Sequence, residues 1–282
     1  MDKTHKMKQL FSFALVFSLL VSCNNSEKEK QESDKESNKP KINADVVVGG
    51  TFKMPLEDPV TTLNPKNILD LTSAQVAGQI FDGLVMYDSR TLELKPDLAA
   101  SWTVSEDLSE YKFLLRKDVQ FHEGAASKVM TAEDVIESVK YYCRKDDSGK
   151  DVAFGNVYKH VLGAQAYREG KADSISGIRV SGDTLIIKLK DPSATFIHKL
   201  ANIYASILPK DIAQGDFQPI GTGPFKLVEN SEEKVALAKH QNFYQKDEKG
   251  NAMPYLDSVI FVVMPSKHKQ LTSFESGEVH VI

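Results

Sequence analysis

The chain has 282 residues, of which 41% are hydrophobic and 26% charged, and these proportions exclude a collagen, a coiled coil or a chain disordered throughout. It carries 35 Lys and Arg against 39 Asp and Glu, so its formal charge of -4 gives no electrostatic reason to expect a nucleic-acid partner. The two cysteines, Cys23 and Cys143, are too few for a disulfide framework or a multi-thiolate metal site.

The N-terminal segment has the pattern of an export signal. Three lysines precede an apolar run over residues 10–21, which is too short to be a permanent membrane span. The run ends in Leu20-Val21-Ser22-Cys23, which resembles the lipobox of bacterial lipoproteins. The resemblance implies that the cysteine is acylated and becomes the first residue of the exported protein.

The segment that follows, residues 23–43, is polar. It contains charged residues of both signs and no aromatic side chain, so it cannot bury enough surface to offset its ordering entropy. We therefore divide the chain into a lipoprotein signal over residues 1–22, a disordered tether, and a folded part over residues 44–282. The exported protein is expected to be held at a membrane by a lipid on Cys23.

The folded part opens with a predicted strand and a long loop. Residues 46–52 are rich in β-formers, and Pro55, Pro59 and Pro65 enforce an extended or turning path after them. Apolar residues then recur at the helical period over residues 73–84, which predicts a packed helix.

Alternating apolar residues predict two hairpins. One joins residues 102–104 to residues 111–115 across a polar turn, and the other joins residues 178–180 to residues 185–189 across a tight glycine turn. Within the first hairpin Trp102 is expected to be a buried core residue, because it lies in an alternating strand.

Between the hairpins Thr131 is expected to cap a helix that has Asp134 at its third position. Cys143 falls on the apolar face of this helix and is expected to be an inert, packed thiol. The remaining predicted elements are a helix over residues 193–202, strands over residues 225–228, 234–238 and 256–264, and a helix over residues 266–275. Since strands and helices mix without strict βαβ alternation, the fold class is mixed α/β, of the α+β kind.

Motifs of catalytic chemistry are missing from the sequence. There is no Gly-x-Ser-x-Gly elbow, P-loop or His-Glu-x-x-His motif. No two of the seven histidines fall at i, i+4 on a predicted helix, so His122 and His268 are expected to be surface or hydrogen-bonded core residues rather than metal ligands. No cofactor and no enzymatic activity are predicted. A hydrolase that pairs carboxylates such as Asp82, Glu123 or Glu133 remains the alternative.

Seven short motifs occur in one order along the chain. They are Phe81-Asp82-Gly83-Leu84, Pro96-Asp97-Leu98-Ala99-Ala100-Ser101-Trp102, Tyr111-Lys112-Phe113-Leu114-Leu115-Arg116, Val119-Gln120-Phe121-His122-Glu123-Gly124, Thr131-Ala132-Glu133-Asp134-Val135, Gly221-Thr222-Gly223-Pro224-Phe225 and Pro254-Tyr255-Leu256-Asp257. Together they resemble solute-binding protein family 5, which holds the extracytoplasmic peptide and nickel receptors of ABC importers. The resemblance runs from about Gly49 to the last residue.

This resemblance implies a receptor of the type II periplasmic-binding-protein class, with two lobes that close on an extended oligopeptide, and ABC permease subunits as partners. Residues 276–282 resemble the strand just before the crossing into the second lobe. The chain is therefore expected to hold the first lobe alone, as a truncated gene or a partial record. A single wall is expected to bind peptides weakly, with a dissociation constant above about one micromolar.

The resemblance also implies where the ligand lies. The expected positions are the loop after the first strand and the segment near the crossing between lobes, namely Met54, Leu56, Glu57, Thr62, Gly221, Thr222 and Gly223. For the loop, a purely structural role is the alternative. Two other functions stay open, a receptor for nickel or another small solute and a surface lipoprotein without transport activity. The lack of clustered His or Cys disfavours direct ligation of a bare metal.

Overall fold

The computed structural model describes residues 46–125, 128–145 and 152–282. The predicted signal over residues 1–22 and the tether with Cys23 lie outside these ranges. Within the described ranges, no helix is long and apolar enough to cross a membrane.

The described residues contain strands and short helices that alternate irregularly. In chain order they are β1 (Thr51–Leu56), α1 (Leu71–Ala77), β2 (Val85–Tyr87), β3 (Leu94–Pro96), β4 (Ala99–Val104), β5 (Glu110–Leu115), α2 (Ala132–Cys143), α3 (Val152–Asn156), α4 (Ala164–Arg168), β6 (Ile178–Ser181), β7 (Thr184–Lys188), α5 (Phe196–Lys199), α6 (Lys210–Gln214), β8 (Phe225–Asn230), β9 (Lys234–Lys239), β10 (Ser258–Val263) and α7 (Lys267–Glu275). The mixture confirms the expected fold class.

The strands form three sheets. The first has the order β1-β10-β9-β8, in which β1 runs parallel to β10 and the other pairs are antiparallel. The second is the small hairpin of β2 and β3. The third is antiparallel throughout, in the order β4-β5-β7-β6, and contains both predicted hairpins. The first sheet therefore joins the start of the described chain to its last strands.

Helix α2 begins where its capping residues predict. The main-chain N–H and the hydroxyl of Thr131 both donate to the Asp134 carboxylate at 2.7 Å. The other carboxylate oxygen accepts a hydrogen bond of 2.9 Å from the main-chain N–H of Lys210, the first residue of α6. One buried side chain thus anchors the starts of two helices. Cys143 is buried at the end of α2, as expected.

Two elements at the start of the fold are shorter than the sequence predicts. Strand β1 begins at Thr51 and not at residue 46, because Val46, Val47 and Val48 are exposed and pair with no strand. Helix α1 ends at Ala77 rather than at residue 84. Its axis cannot continue, since the carbonyl of Ile80 accepts a hydrogen bond of 2.9 Å from the distant Gly223 N–H.

Three further expectations need correction. The helix predicted over residues 193–202 shortens to α5, and residues 276–282 form a turn and bends rather than a strand. Trp102 is only half-buried. It packs against the core from the rim, whereas Phe113, its cross-strand neighbour, is completely buried. Trp102 and Phe113 share one face of the sheet, but Trp102 lies on the edge strand β4 and Phe113 on the inner strand β5. Alternation predicts the face of a side chain and not how well its strand is covered.

Candidate ligand-binding face

Strand β1 is an edge strand, and its free edge is the first part of the candidate site. β1 pairs with β10 on one side only. On the other side the Lys53 N–H donates to His280 Nδ1 at 3.0 Å, and the Lys53 carbonyl accepts from the His280 N–H at 2.9 Å. Because alternate residues of a strand direct their main-chain groups to opposite edges, the carbonyl of Pro55 faces the same edge as Lys53. Proline has no N–H to leave unpaired there, so it suits an edge position.

Two predicted ligand residues lie in β1 itself. Met54 is half-buried, and its sulfur accepts a long hydrogen bond of 3.8 Å from Gln75 Nε2 of α1. Leu56 has only 2% of its surface exposed and belongs to the hydrophobic core. Its carbonyl accepts a hydrogen bond of 2.7 Å from the Met264 N–H. Met54 is therefore the more accessible of the two.

The loop after β1 carries the other two predicted residues. Glu57 is exposed, and its carboxylate forms an ion pair with the ammonium group of Lys267, the first residue of α7. The half-buried Thr62 accepts a hydrogen bond of 3.1 Å from the Asn64 N–H, and its own N–H lies 3.4 Å from the Ser73 hydroxyl in α1. The loop is thus tied to both α1 and α7.

The segment from Gly221 to Gly223 lies on the turn that follows α1. A Cβ atom at Gly221 would stand 2.2 Å from the Ile80 carbonyl oxygen, and one at Gly223 would stand 2.6 Å from the Ile80 carbonyl carbon. Glycine is required at both positions by this close approach. Thr222 is completely buried, and its hydroxyl donates to the Asp82 carboxyl group at 2.9 Å. The three residues are covered by neighbouring chain in this structure.

The sequence-predicted residues near α1 therefore form two groups. Met54 and Thr62 contact the helix itself through Gln75 and Ser73, whereas the Gly221 segment contacts the turn that follows it. Neither of the two pockets described below is lined by residues of both groups. Their role in ligand binding stays a prediction.

A buried polar cluster underlies the Gly221 segment. The sequence predicted roles for Asp82 and Thr222 but not their assembly with other polar residues. The cluster consists of Asp82, Asp97, Thr222, Tyr244 and Gln245. The Tyr244 hydroxyl donates to Asp97 Oδ1 and lies 3.3 Å from Asp82 Oδ2, while Gln245 Nε2 donates to Asp97 Oδ1 at 3.0 Å. Each aspartate sits in an otherwise apolar stretch, Phe81-Asp82-Gly83-Leu84 and Pro96-Asp97-Leu98-Ala99, and that context is the signal that could have indicated burial.

Burial perturbs the acids of this cluster. Removal from water, reinforced by the neighbouring Asp97, raises the pKa of Asp82 well above its ordinary value. Burial also raises the pKa of Asp97, to about 6, against the lowering effect of its hydrogen bonds from Tyr244 and Gln245. Asp82 keeps some contact with solvent, because it lines a pocket of about 180 Å³ between the end of α1 and residues 201–206.

Two buried histidines hold the same glycine segment from its other side. His122 donates from Nε2 to the Gly223 carbonyl at 3.0 Å and accepts at Nδ1 from the Gly221 N–H at 3.3 Å. His240 donates from Nδ1 to the same carbonyl at 3.1 Å, and the two rings meet edge to face at 4.7 Å. Burial lowers the pKa of His122 to about 4 and also lowers the pKa of His240. His122 is a hydrogen-bonded core residue, as predicted.

Within the described ranges, no group of three or more His, Cys, Asp or Glu side chains could hold a metal ion. A second pocket, of about 460 Å³, is lined by Lys95, Arg116 and Lys246 among others, with Asp118 bound to Arg116 at 2.9 and 2.7 Å. The Arg116 guanidinium lies 4.9 Å from the centre of the Tyr244 ring. This pocket therefore borders the buried polar cluster on its charged side.

Comparison with known proteins identifies the family. A family model described as bacterial extracellular solute-binding proteins, family 5 middle, matches residues 93–282. The chain belongs to this family, whose members are binding proteins rather than enzymes. The fold resembles a type II periplasmic-binding-protein domain.

Three relatives illustrate the likeness. Peptide transport periplasmic protein SapA of Salmonella typhimurium strain LT2 is 27% identical over 239 residues, which cover 79% of this chain and 41% of that protein. The dipeptide-binding protein of Escherichia coli K12 is 30% identical over 220 residues, covering 72% and 38%. The periplasmic binding protein DppA of Helicobacter pylori, solved in complex with the peptide STSA, matches with a TM-score of 0.69 at 26% identity, over 83% of this chain and 46% of that one. The chain spans less than half the length of these three proteins.

Proposed function

We propose that the protein is the substrate-binding component of an ABC importer and that it takes an extended oligopeptide along the free edge of β1. The names of two relatives refer to peptides, and a third relative was solved with one bound. The single observation on this chain that carries the proposal is the edge itself, which pairs with no strand among the described residues. The Pro55 carbonyl faces this edge, and the Lys53 main-chain groups there pair with His280, which a peptide would replace. Pairing of this kind recognises the main chain, which every peptide offers.

The side chains around this edge suit a ligand of variable sequence. Met54 is flexible and polarisable, so it adapts to side chains of different shape. The ion pair of Glu57 and Lys267 is exposed, with 62% and 72% of the two side chains accessible. Because an exposed pair is weak, Glu57 can instead bind the amino terminus of a peptide, and Lys267 its carboxylate. The proposed partners are ABC permease subunits, and no nucleic-acid partner is proposed.

Thermal stabilisation of the 282-residue chain tests the ligand class. A pool of tripeptides to nonapeptides at ten times its dissociation constant should stabilise the native state by about 1.4 kcal/mol, which raises the melting midpoint by roughly 3 to 6 °C. The same peptides methylated on their main-chain nitrogens are the control, because they cannot donate to the strand edge. Stabilisation by Ni²⁺ and not by peptides, or equal stabilisation by both peptide forms, would refute the proposal.

We also propose that the protein is exported and held at the membrane by a lipid on Cys23. This rests on the apolar run and the lipobox-like residues before Cys23, and on the polar segment after it. The Cys23→Ala variant should appear in the soluble fraction. The matched control is Cys143→Ala, whose parent thiol is buried in the fold, and this variant should stay with the membranes. Membrane retention of Cys23→Ala to the same extent as the parent protein would count against the anchor.

A further inference from the structure

The hydrogen bonds around Tyr244 need one more proton than is present when Asp82 and Asp97 are both ionised. The Tyr244 hydroxyl has a single proton, yet its oxygen is within hydrogen-bond distance of both Asp97 Oδ1 and Asp82 Oδ2. It can donate to only one of them. If both carboxyl groups were ionised, the remaining contact would set two oxygen lone pairs against each other in a buried site, which is unfavourable.

A proton on one aspartate satisfies every contact. Tyr244 then donates to Asp97, accepts from the protonated Asp82, and accepts from Gln245 Nε2 at 3.4 Å, which uses both lone pairs of its oxygen. Asp82 Oδ2 keeps its second lone pair for the Thr222 hydroxyl at 2.9 Å. No donor or acceptor among these contacts is left in conflict.

The surroundings decide which carboxyl group carries the proton. Asp97 accepts hydrogen bonds from the Gly83 N–H and from Gln245, and the positive charges of Lys95 and Arg116 act on it, so its ionised form is favoured. Asp82 is acted on by Asp97, Thr222 and Tyr244, of which the only charge is negative.

The other sides of the cluster add little charge. Residues 201–206 line the pocket beside Asp82 with Ala201, Asn202, Ile203 and Ser206, which are all uncharged. Asp118 is neutralised by its two-point contact with Arg116. His122 and His240 hydrogen-bond to the Gly223 carbonyl rather than to Asp82. The proton therefore belongs on Asp82.

We propose that Asp82 is a neutral carboxylic acid at neutral pH and that its proton is a pH-sensitive lock, which holds Tyr244 against the turn after α1. The hydrogen bonds of Asp82 join three distant parts of the chain, around residues 82, 222 and 244. Loss of the proton at alkaline pH places two negative charges next to one phenol. The pocket of about 180 Å³ gives the Asp82 side chain room to turn away, so the lock opens.

The matched variants Asp82→Asn and Asp97→Asn test the inference. An amide at position 82 can keep both contacts of the protonated acid. Its NH₂ group can donate to the Tyr244 oxygen and also to the Thr222 hydroxyl, once that hydroxyl rotates its proton away. An amide at position 97 has fewer acceptor lone pairs than a carboxylate for its three donors, which are Tyr244, Gln245 and the Gly83 N–H. At pH 8 we expect Asp82→Asn to melt at or above the parent midpoint and Asp97→Asn to melt at least about 4 °C below it. Between pH 5 and pH 9 the midpoint of the parent protein should fall relative to that of Asp82→Asn.

Infrared spectroscopy gives an independent readout. The parent protein at pH 7 should show the C=O band of a protonated carboxylic acid, and this band should vanish in Asp82→Asn. Absence of the band from the parent protein would overturn the inference. So would an Asp82→Asn variant that melts as far below the parent at pH 8 as Asp97→Asn does. Neither result depends on which ligand the protein binds.

Discussion

Gly221 is a residue at which a single methyl group disturbs the fold. Its backbone lies so close to Ile80 that an added Cβ atom would stand 2.2 Å from a carbonyl oxygen, which no side-chain rotation can relieve. The Gly221→Ala variant should therefore lose about 1 to 3 kcal/mol in the free energy of unfolding, as overpacked sites do. Urea denaturation measures the loss.

Gly155→Ala is the control for this prediction. Gly155 lies in α3, and an added Cβ atom would meet nothing within 4 Å. Alanine should leave the stability unchanged or raise it by up to about 1 kcal/mol, since alanine is the better helix former. Equal losses in the two variants would show that the close approach at Gly221 is not what the fold depends on.

The buried acids and histidines give the protein two opposite responses to pH. The folded-state pKa of His122 is about 4, below its ordinary 6.5, so between these values the unfolded chain binds more protons and stability falls as the pH falls. The folded-state pKa of Asp97 is about 6, above its ordinary 3.8, so stability rises as the pH falls from 6 to 4. The two effects oppose each other between pH 4 and pH 6.

Replacing His122 should isolate the contribution of this histidine to the pH dependence of stability. We expect the stability of His122→Gln, relative to that of the parent protein, to rise steadily as the pH is lowered from 6.5 to 4. Chemical denaturation at a series of pH values gives this difference, in which the contributions of all other groups cancel. A difference that is constant with pH would mean that His122 is not neutral in the folded protein at pH 5.

At the scale of the elements, Asp134 links two helices. Its carboxylate caps α2 through Thr131 and also accepts from the first main-chain N–H of α6. Asp134→Ala leaves both helix starts without this acceptor and should cost about 2 to 3 kcal/mol, whereas Thr131→Ala should cost only about 1 kcal/mol. Equilibrium unfolding in urea separates the two variants.

The neighbouring Glu133 is the matched control for Asp134. It carries the same charge, but 61% of its side chain is exposed and its partner is the Lys210 side chain at the surface. Glu133→Ala should change the stability by no more than about 1 kcal/mol. If Glu133→Ala lowers the free energy of unfolding as much as Asp134→Ala does, the negative charge of the first helical turn stabilises the fold more than the hydrogen bonds of Asp134 do.

Elements that depend on local pattern were predictable from the sequence. The strands later found as β8, β9 and β10 and helix α7 were expected within a few residues, because their alternation, Ser266 cap and flanking turns are local. Helix α1 was predicted too long, since a contact with residue 223 ends it. Local periodicity carries no information about such a contact.

The candidate site was only partly predictable, for a similar reason. The loop of Met54 and Glu57 was expected from its likeness to a family, and the structure adds the free strand edge beside it. The pairing of Asp82 with Asp97 and Tyr244 was not expected, because these residues approach one another only in the folded chain. Their apolar sequence context indicates burial but not the partner that burial brings.

For the molecule as a whole, the central claim is that a peptide binds by its main chain along the edge of β1. A single strand edge offers few main-chain pairs, so a dissociation constant above about one micromolar is expected for it. Binding should therefore be measured at high peptide concentration and mapped by position rather than inferred from affinity alone.

Hydrogen exchange followed by mass spectrometry, with and without about 1 mM peptide, makes this measurement. A peptide that pairs with β1 should slow exchange in residues 51–62 and leave β8, the opposite edge of the same sheet, unchanged. The same peptide methylated on its main-chain nitrogens should protect neither. Protection at β8 in place of β1, or slower exchange at β1 with the methylated peptide as well, would contradict the account.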